Sequence, residues 1–594
     1  MVGIIVITLA VAAWVGALGL SAKSELEAVM PYASKIKALV VSGDAAGAVD
    51  AVDDMAAHTE QARDDTNQVV WRVAEIVPFL GPNLVAVRES ANIADDIVDQ
   101  VARPLASVAA TFDPASLQPV DGALNLAPLV EAQSEVSSAS LAVESAVDRA
   151  QAIDKSLLIG PVAGAVDQLT TLLSENAPVL RSASDVLALV PDALGATEPR
   201  EYVLMFQNNA ESRALGGTAL SFALLTMDNG RIQLGDALPA GMGNFIDYAE
   251  SVLPIPDGAE AVYPLGAYGT FIANVTTRPS FVSAAELTQE MWKRQFGTEI
   301  DGVISVDPVA LGYVLGATEP ITLSTGDVVT GDNLVPLLLN EVYQRYWNED
   351  RSRNEPSDNE LQDQVYAEVV SQTFARFSSG QFDIKKFFAA LTRATEERRI
   401  MLWSTQESEE SVFASLNVDG ALPESDKKTD RVGVYFQDNV GSKMNFYLQQ
   451  SVTLEHGVCR GDGHQSSRIN IGLTNGLPLD AADSISPSIL GAYAREKLEP
   501  GVQRMVVMVY APPGSQITGA TVDGAAVELE QLHDTDYPVA KFTVSIEPGV
   551  TSTMTVDLVS GESGEKALEA QVTPMVNPTA VAEAPLDCST VAAG

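Results

Sequence analysis

The chain has 594 residues, with 36 Lys and Arg against 79 Asp and Glu, which gives a formal net charge of −43. This charge repels nucleic-acid phosphates and excludes a general DNA- or RNA-binding protein, while 46% hydrophobic residues exclude a wholly disordered chain. The two cysteines and four histidines exclude a zinc-ribbon array, an iron–sulfur protein and a disulfide-dense scaffold. At roughly 100–200 residues per domain, the length predicts about three to five domains.

An uncharged apolar segment opens the chain. It reads VGIIVITLAVAAWVGALGLSA from Val2 to Ala22, and the first charged side chain is Lys23. Because about 20 apolar residues in a helix cross the hydrocarbon core of a bilayer, the sequence predicts a transmembrane anchor at residues 1–22. A cleaved signal peptide is the alternative, but no basic residue precedes the segment and no A-x-A cleavage site follows it.

The location of the rest of the chain is inferred from its charge and its cysteines. Lys23 follows the span, so the positive-inside rule alone would keep the chain in the cytoplasm, but that rule is weak for long translocated domains. The scarcity of Lys and Arg suits an exported surface, and we expect the bulk of the chain to be extracytoplasmic. In an oxidising compartment Cys459 and Cys588 can form a disulfide that ties the C-terminal tail to a domain. Two unrelated buried thiols are the alternative.

Residues 23–198 are predicted to be helical. Apolar residues recur three and four positions apart in three stretches, 84–105, 136–157 and 162–190. This spacing places each set on one helix face, as in a coiled coil or narrow bundle, and the many alanines indicate close packing. A membrane-proximal stalk, through which copies of the chain can pair as a homo-oligomer, and an ordinary helical bundle are both compatible with the pattern.

The pattern changes at Pro199, where strands begin to alternate with helices. This alternation predicts an α/β domain over residues 199–425. Strands are predicted at 201–207, 218–227, 301–306 and 399–403, and helices at 283–296 with Ser283 as N-cap, 331–348, 358–378 and 382–398. From residue 430, short strands separated by Pro- and Gly-rich turns predict an immunoglobulin-like β-sandwich over 430–575, followed by a tail at 576–594.

Chemically active side chains are densest between the first two predicted strands, in the segment QNNAESRALGG from Gln207 to Gly217. Loops that follow strands often hold the ligand of an α/β domain. Arg213 can hold a phosphate through two hydrogen bonds, and Gly216 with Gly217 can let the backbone approach an anion. The alternative is a polar loop whose Asn and Gly residues only make the turn.

A second polar cluster contains Asn274 and Arg278, just before the predicted helix at 283–296. Arg278 near that helix N-terminus can add to an anion site, and a solvated loop arginine is the alternative. Most of the other arginines are predicted to be surface ion-pair partners, namely Arg345, Arg351, Arg353, Arg398 and Arg399. The sequence has no nucleophile elbow, zinc-protease motif, Walker A loop, EF-hand or dinucleotide fingerprint, and it identifies no metal ligands.

Four segments resemble the domain-of-unknown-function 4012 family of actinobacterial membrane-anchored envelope proteins. They are WRVAEIVPFLGPNLVAVR at 71–88, YVLMFQNNAESRALGG at 202–217, VDPVAL at 306–311 and GVYFQDNVGSKMNFYL at 433–448. The resemblance extends over nearly the whole chain. Because the family has no established function, it implies an envelope location but no activity.

The order of elements around Arg213 is similar, more distantly, to that of the LytR-CpsA-Psr family. Those membrane-anchored phosphotransferases transfer glycopolymers from polyprenyl-pyrophosphate carriers to peptidoglycan. This resemblance implies that Arg213 and Glu211 are catalytic, that Arg278 binds phosphate and that Mg²⁺ is the cofactor; the other substrate-binding candidates are Asn208, Asn209, Gly216, Gly217 and Asn274. The chain departs from the pattern, because Arg213-Ala214-Leu215 stands where an Arg-x-Asp pair is expected, and Thr277-Arg278-Pro279 where Arg-Asp-Thr is expected.

Two functions are therefore expected. The first is a single-pass, extracytoplasmic envelope protein with a LytR-CpsA-Psr-like domain that binds polyprenyl-phosphate-linked glycopolymer or transfers it to the cell wall. The alternative is a non-enzymatic envelope assembly or scaffold protein that binds partners or glycan through its stalk and β-sandwich. An Arg213 that is paired with Glu211 in a buried bridge would favour the second function.

Overall fold

The computed structural model describes residues 2–42, 44–120, 122–241, 243–263, 268–347, 358–491 and 496–590, with their side chains except those of 2–10, 40–42, 114, 358, 359 and 590. The chain divides into two compact units. The first contains Met1–Gln118 and Leu124–Glu198, and the second contains Pro119–Ala123 and Pro199–Gly594. The predicted multidomain organisation is confirmed in outline, with helices first, then an α/β region and then a strand-rich region.

The first unit is built from helices that pack through small side chains. Many buried positions are alanines, among them Ala51 and Ala62 on the second helix and Ala139 and Ala146 on the sixth, and small residues let helix axes approach closely. Proline in the first turn begins several of these helices, where its missing N–H costs no hydrogen bond. The helices are α1 Val2–Ser42, α2 Ala45–Thr66, α3 Val69–Ala74, α4 Gly81–Ile97, α5 Arg103–Thr111, α6 Ala127–Gln151 and α7 Gly160–Ala193.

Helix α1 contains the predicted anchor at residues 1–22 from Val2 onward and continues unbroken to Ser42. Val15 and Leu18, inside the predicted anchor, pack against Trp71 and Leu84 of the same unit. Within the ranges that the structure describes, no helix combines the length and the apolarity needed to cross a membrane. The anchor predicted at 1–22 falls in part outside the described side chains, which begin at residue 11.

The second unit opens with a mixed sheet in the order β3-β2-β1-β5-β8, with β4 paired to β2. β1 and β5 run parallel, so their carboxyl ends meet at one edge of the sheet. The strands up to residue 404 are β1 Arg200–Asn208, β2 Thr218–Asp228, β3 Arg231–Leu234, β4 Leu238–Pro239, β5 Gly302–Val306, β6 Ile321–Thr322, β7 Val328–Val329 and β8 Ile400–Ser404. The helices are α8 Ala259–Val262, α9 Phe281–Phe296, α10 Pro308–Leu315, α11 Leu334–Pro336, α12 Val342–Arg345, α13 Asp358–Ser378, α14 Ile384–Glu396, α15 Glu407–Ser415 and α16 Pro487–Leu490.

Helix α9 starts earlier than its sequence pattern predicts. Ser280 caps it, because the Ser280 hydroxyl oxygen accepts a hydrogen bond from the Ser283 backbone N–H at 3.4 Å. Ser283, the predicted N-cap, therefore lies inside the first turn. Gly297 ends the helix in the left-handed conformation at φ 72°, which glycine adopts without steric cost.

Two further sheets make up the strand-rich region. They follow the orders β14-β13-β17-β11-β10-β19 and β15-β16-β12-β9-β18, and apolar side chains from both sheets share one core. β18 and β19 each join a sheet edge as a parallel strand. The strands are β9 Thr429–Asp438, β10 Leu448–Gly457, β11 His464–Asn475, β12 Gln503–Tyr510, β13 Gln516–Val522, β14 Ala525–Ala526, β15 Leu532–Asp534, β16 Tyr537–Ile546, β17 Thr551–Ser563, β18 Ala567–Val572 and β19 Ala580–Pro585.

Strand β12 explains why the α/β and strand-rich regions form one compact unit. Met505, Val507 and Val509 point into the core between the two strand-rich sheets. Val506 and Met508, on the opposite face, belong to the core that also holds the α/β sheet and α9. Successive side chains of a strand point to opposite faces, so burial on both faces requires a continuous apolar run. The boundary predicted at residues 425–430 is therefore crossed by a shared core.

Candidate functional site

The glycines after β1 are required by close backbone packing. A Cβ atom on Gly217 would lie 2.2 Å from the carbonyl carbon of Asn208 and 2.3 Å from its oxygen. The Gly217 N–H donates to the Gln207 side-chain oxygen at 2.8 Å, and Gly216 has a φ of +132° that favours glycine. Since these groups are satisfied within the chain, the glycines make the turn and their N–H groups do not form an anion-binding nest.

The loop between β1 and β2 is bonded to the strand-rich region. The backbone N–H and the hydroxyl of Ser212 both donate to the Asn445 side-chain oxygen, at 3.0 and 2.7 Å. The Ser212 carbonyl accepts from the Asp438 N–H at 3.0 Å, and the Ala214 carbonyl accepts from the Thr573 hydroxyl at 3.0 Å. Buried polar groups with all partners supplied by the protein are typical of a structural junction.

Arg213 forms its ion pair and its hydrogen bonds within this junction between the β1–β2 loop and the strand-rich region. Its Nη2 lies 3.2 Å from Glu211 Oε1, and its Nη1 donates to the carbonyls of Ser212 at 3.0 Å and Asp438 at 3.4 Å. The other oxygen of Glu211 lies 3.6 Å from Nζ of Lys443. Burial disfavours the charge on Lys443, but the charges of Glu211, Tyr343 and Asp438 together with the hydrogen bond to Glu211 raise the pKa of that ammonium group. The Arg213 guanidinium thus lies in a mostly buried bridge to Glu211, the arrangement that favours a non-enzymatic role.

Arg278 is also paired, in a deeper part of the same unit. Its Nη2 and Nε each lie 2.9 Å from an oxygen of Asp534, and its Nη1 donates to the Ser283 hydroxyl at 2.6 Å. Asp534 also accepts from the Tyr510 hydroxyl at 2.9 Å. Burial disfavours the charged guanidinium, but the bonds and charge of Asp534 prevail and raise the pKa of Arg278. Arg278 is therefore a core ion-pair partner and not a solvated loop residue or a free phosphate ligand.

The asparagines at the end of β1 have structural partners as well. Asn208 Nδ2 donates to the Tyr343 hydroxyl at 2.7 Å, and its Oδ1 accepts from the Ala210 N–H at 3.0 Å. Asn209 Nδ2 donates to Asp307 Oδ2 at 2.8 Å and to the Pro574 carbonyl at 2.9 Å. Asn274 lies apart from them, half-buried in the 3₁₀ turn Ile272–Thr277.

Asp307 and Arg399 form a further buried pair, at 2.8 Å between Oδ2 and Nη1. Arg399 is not the surface ion-pair partner that the sequence predicts, because its side chain is almost fully enclosed and also bonds Glu397 and the Met575 carbonyl. Asp307 follows β5 at the sheet edge where β1 ends with Asn208. Because ligand-binding residues of α/β sheets often follow strand ends, its position after a predicted strand could have identified Asp307 as a candidate. Arg351 and Arg353 lie outside the described residues.

A mostly apolar cavity of about 460 Å³ lies at the carboxyl ends of β1 and β5. Its lining includes Asn208, the single predicted site residue there, together with Phe206, Leu238, Leu338 and Tyr343. No arginine or lysine of the described chain lines it. This cavity therefore does not provide the cationic surroundings that a phosphate group needs.

The magnesium ion that the distant resemblance implies does not fit at Glu211. Both oxygens of this carboxylate already face a cation, Arg213 on one side and Lys443 on the other. The nearest other acid in the junction, Asp438, is buried and accepts from the Ser442 hydroxyl at 2.6 Å and N–H at 2.9 Å. Across the described part of the chain, no three His, Cys, Asp or Glu side chains stand together as a metal site.

A larger and more polar cleft, of about 700 Å³, lies where α14 ends and β18 begins. Arg398, Asp419, Glu424 and Gln571 line it. Arg398 Nη1 donates to the Asn417 side-chain oxygen at 3.1 Å and its Nη2 to the Ala421 carbonyl at 3.3 Å. No carboxylate of the described residues lies within ion-pair distance of Arg398, and burial lowers its pKa. The prediction of a surface ion pair is therefore wrong for Arg398 too.

The backbone of Arg398 is strained. It follows α14 with a φ of +55°, and the N–H groups of Arg398 and Arg399 donate back to Thr395 and Ala394 at 2.9 and 2.8 Å. Glycine is the usual residue at this helix-ending position, and a longer side chain costs roughly 1 kcal/mol there. Arg398 thus places a long cationic side chain in the cleft lining at a position where glycine is common.

Comparison with known families identifies one part of the chain. Residues 197–343 match a family model described as "Protein of unknown function (DUF4012)". No curated protein matches the chain. The matched range includes the loop from Asn208 to Gly217, Arg278 and the strand-end residue Asp307, and it ends before the Arg398 cleft. Over residues 197–343 the chain is thus similar to the DUF4012 family, whose function is unknown.

Proposed function

We propose that this chain is an exported, membrane-attached envelope protein that acts without catalysis and binds an acidic glycan in the Arg398 cleft. The proposal rests on a difference in the partners of three arginines. Arg213 and Arg278 each lie in an ion pair with a carboxylate of the same unit. Arg398 lines a cleft of about 700 Å³, and its acceptors among the described residues are two neutral oxygens.

The chemistry of the cleft suits a sugar that carries one carboxylate. Arg398 offers guanidinium N–H groups that can donate to an anionic oxygen. Arg399 and Arg431 also line the cleft, and both are in ion pairs. The lining carboxylates can accept from sugar hydroxyl groups, and their charge disfavours a densely charged polyphosphate; they are those of Glu396, Glu397, Asp419, Glu424 and Glu569. The cleft volume lies within the range of roughly 300–1,000 Å³ that small-ligand sites occupy.

Export is supported by the cysteines. The structure joins Cys459 to Cys588 in a disulfide with the Cα atoms 5.1 Å apart, which is the pairing that the sequence predicts. Structural disulfides persist in oxidising compartments and are rare in the cytosol. The net charge of −43 and the shortage of basic residues agree with an exported surface.

Glycopolymer transfer is the less favoured proposal. Transfer from a polyprenyl-pyrophosphate carrier would need a cation that contacts the phosphate. In the set of Arg213, Glu211 and Lys443, both cations are already paired with the Glu211 carboxylate. Opening the set would leave a buried charge without a partner, which is costly.

The test is calorimetric titration of the full chain with uronic-acid oligosaccharides, with neutral oligosaccharides of equal length as the control ligand. We expect Arg398→Gly to weaken binding of the acidic ligand by about tenfold or more, since a charge-assisted hydrogen bond contributes roughly 1.5–3 kcal/mol. Because glycine suits the φ of +55°, the variant should melt at the same temperature or higher. Arg393→Ala, which removes an exposed arginine of the preceding helix α14, is the matched control.

Two results would reject the proposal. One is equal affinity of Arg398→Gly and the unaltered chain for the acidic ligand. The other is loss of wall glycopolymer in cells that carry Arg213→Ala, provided that this variant is folded and that Arg398→Gly cells keep their glycopolymer. The second result would support transfer.

A further inference from the structure

Large apolar side chains stand exposed around the turn between α3 and α4. Val69, Ile76 and Phe79 keep 81%, 80% and 87% of their surface accessible, and Val73 is also exposed. From Ile76 to Val87 the sequence has no charged residue. Soluble proteins rarely leave so many neighbouring apolar side chains in water, and such a surface marks an interaction site.

Polar contacts and close backbone packing fix the turn between α3 and α4. Arg88 Nε lies 2.6 Å from Glu75 Oε1 in a largely buried bridge, and Asn83 Nδ2 donates to the Phe79 carbonyl at 3.0 Å. A Cβ atom on Gly81 would lie 1.9 Å from the Glu75 carbonyl oxygen. These contacts fix the backbone of the turn, so the exposed apolar side chains lie on an ordered, rigid turn.

Phe79 combines exposure with backbone strain. Its φ is +68°, a value that is rare for a bulky side chain. Within its unit no buried cluster contains the Phe79 ring. A strained aromatic residue without internal packing indicates that the ring serves a contact outside the unit.

A second loop places apolar residues beside this turn. Asn83 Oδ1 accepts from the Ile159 N–H at 2.8 Å, and Asn83 Nδ2 lies 3.4 Å from the Leu157 carbonyl. Leu157 and Ile159 both expose more than half of their surface. We name the combined surface the apolar platform; its residues are Val69, Val73, Ile76, Phe79, Leu157 and Ile159.

Helix α1 connects the platform to the uncharged start of the chain. Trp71, which lies between the exposed Val69 and Val73, packs its ring against Val15 and Leu18 of α1. Trp14 and Leu20 of the same helix are exposed. Helix α3, which carries Val69 and Val73, thus packs beside α1 within the sequence run from Val2 to Ala22, which contains no charged residue.

We propose that the apolar platform inserts into the interfacial layer of a lipid bilayer and fixes the helical unit against the membrane surface. Exposed aliphatic and aromatic side chains on a rigid turn can enter the headgroup boundary without a spanning helix. A bilayer is favoured over a protein partner because the platform adjoins an uncharged apolar run and an exposed tryptophan, and tryptophan is enriched at membrane interfaces. The proposal concerns the first unit and is independent of glycan binding in the Arg398 cleft.

The first test places a fluorescent probe on the platform of the full chain. Both native cysteines are in the disulfide, so Ile76→Cys creates a single thiol that can be labelled with an environment-sensitive nitrobenzoxadiazole group. With vesicles of phosphatidylethanolamine and phosphatidylglycerol, we expect a blue-shifted emission that brominated lipids quench. Leu141→Cys, at an exposed apolar position on α6, is the matched control. A probe attached there should keep the emission that it has in water.

The second test separates lipid contact from folding. Phe79→Gly suits the φ of +68°, so its melting temperature should be unchanged or higher. Its partition onto the same vesicles in flotation should fall by about tenfold, since full burial of one large apolar side chain shifts an equilibrium by roughly ten- to a hundredfold. Leu141→Gly, outside the platform, should not change the partition.

Either of two results overturns the proposal. A probe at position 76 that reports water while the chain floats with the vesicles would show that the platform does not touch lipid. Platform-dependent dimers, detected by light scattering without lipid and lost in Phe79→Gly, would assign the platform to a second copy of the chain.

Discussion

Arg278 and Asp534, which are 256 positions apart in the chain, form a two-point ion pair in the core of the second unit. Arg278 precedes helix α9 of the α/β region, and Asp534 ends strand β15 of the strand-rich region. Tyr510 donates to the same carboxylate, and the Tyr263 hydroxyl lies 2.5 Å from that of Tyr510. The pair therefore links two regions that the sequence presents as separate domains.

Removal of one charge from this pair should destabilise the second unit strongly. In Asp534→Asn the buried guanidinium of Arg278 keeps its charge and loses its counter-ion, at a cost of roughly 3–5 kcal/mol. Urea unfolding followed by circular dichroism measures this change. Asp462→Asn removes the partner of Arg460 in a solvent-accessible pair and should have a far smaller effect on stability, because water screens such pairs. A loss of similar size in both variants would contradict the structural role of the Arg278–Asp534 pair.

Gly217→Ala should be among the most damaging small substitutions in the DUF4012 segment. The new methyl group would collide with the Asn208 carbonyl, whose carbon is 2.2 Å from the Cβ position, so the turn must move. We expect a loss of about 2 kcal/mol or more in unfolding free energy. Gly241→Ala meets no atom within 4 Å and serves as the control, with an expected change near zero. Equal melting temperatures for the two variants would show that the loop tolerates a side chain.

The disulfide should stabilise the end of the chain. Cys459 and Cys588 enclose 129 residues, and loss of such a bond costs a domain roughly 2–5 kcal/mol. Chemical unfolding with and without reductant measures this effect, and the double variant Cys459→Ser with Cys588→Ser should not respond to reductant. Peptide mapping of exported protein under non-reducing conditions should find the two cysteines linked. Free thiols at both positions would contradict the pairing.

Glu410 should make the stability of the second unit depend on pH. Burial raises the pKa of this carboxyl to about 7, against its backbone hydrogen bond from Ser404 and with help from the negative charges of Asp419, Glu409 and Glu286. The folded state therefore holds a proton that the unfolded chain releases near pH 4.5, so stability falls as the pH rises from about 4.5 to about 7. After allowance for partial solvent screening, the change is about 1–2 kcal/mol.

Glu410→Gln tests this dependence. The variant keeps an oxygen that can accept from the Ser404 N–H, a contact of 2.6 Å in the structure, and it cannot ionise. Its unfolding free energy should stay flatter between pH 5 and 7.5 and exceed that of the unaltered chain at the upper end. Glu407→Gln, an exposed neighbour in the first turn of α15, is the control. Parallel pH profiles for Glu410→Gln and the unaltered chain would reject the assignment.

Local sequence patterns are sufficient to predict much of the architecture. The 3/4 apolar spacing predicts the helices of the first unit, and the alternation of strands and helices predicts the sheet that begins at Arg200. These features depend on neighbours within one or two turns of helix or one strand, so the sequence shows them directly. The N-cap of α9 was misplaced by three residues because Ser280 and Ser283 both fit a cap, and the fold alone selects Ser280.

By itself, the sequence determined the helical start, the α/β alternation, the strand-rich end and the two cysteines that can pair. Only the tertiary structure decided what each arginine does. Arg399 pairs with the Asp307 carboxylate, 92 positions away, and Arg278 pairs with the Asp534 carboxylate, 256 positions away. Arg398 has no carboxylate partner within the described residues. The free energy of a guanidinium depends on whether a carboxylate or water surrounds it, and chain spacing does not encode those neighbours. Arg213, the predicted catalytic residue, lies in a mostly buried bridge to Glu211, while Arg398 is a cleft arginine with no carboxylate partner among the described residues.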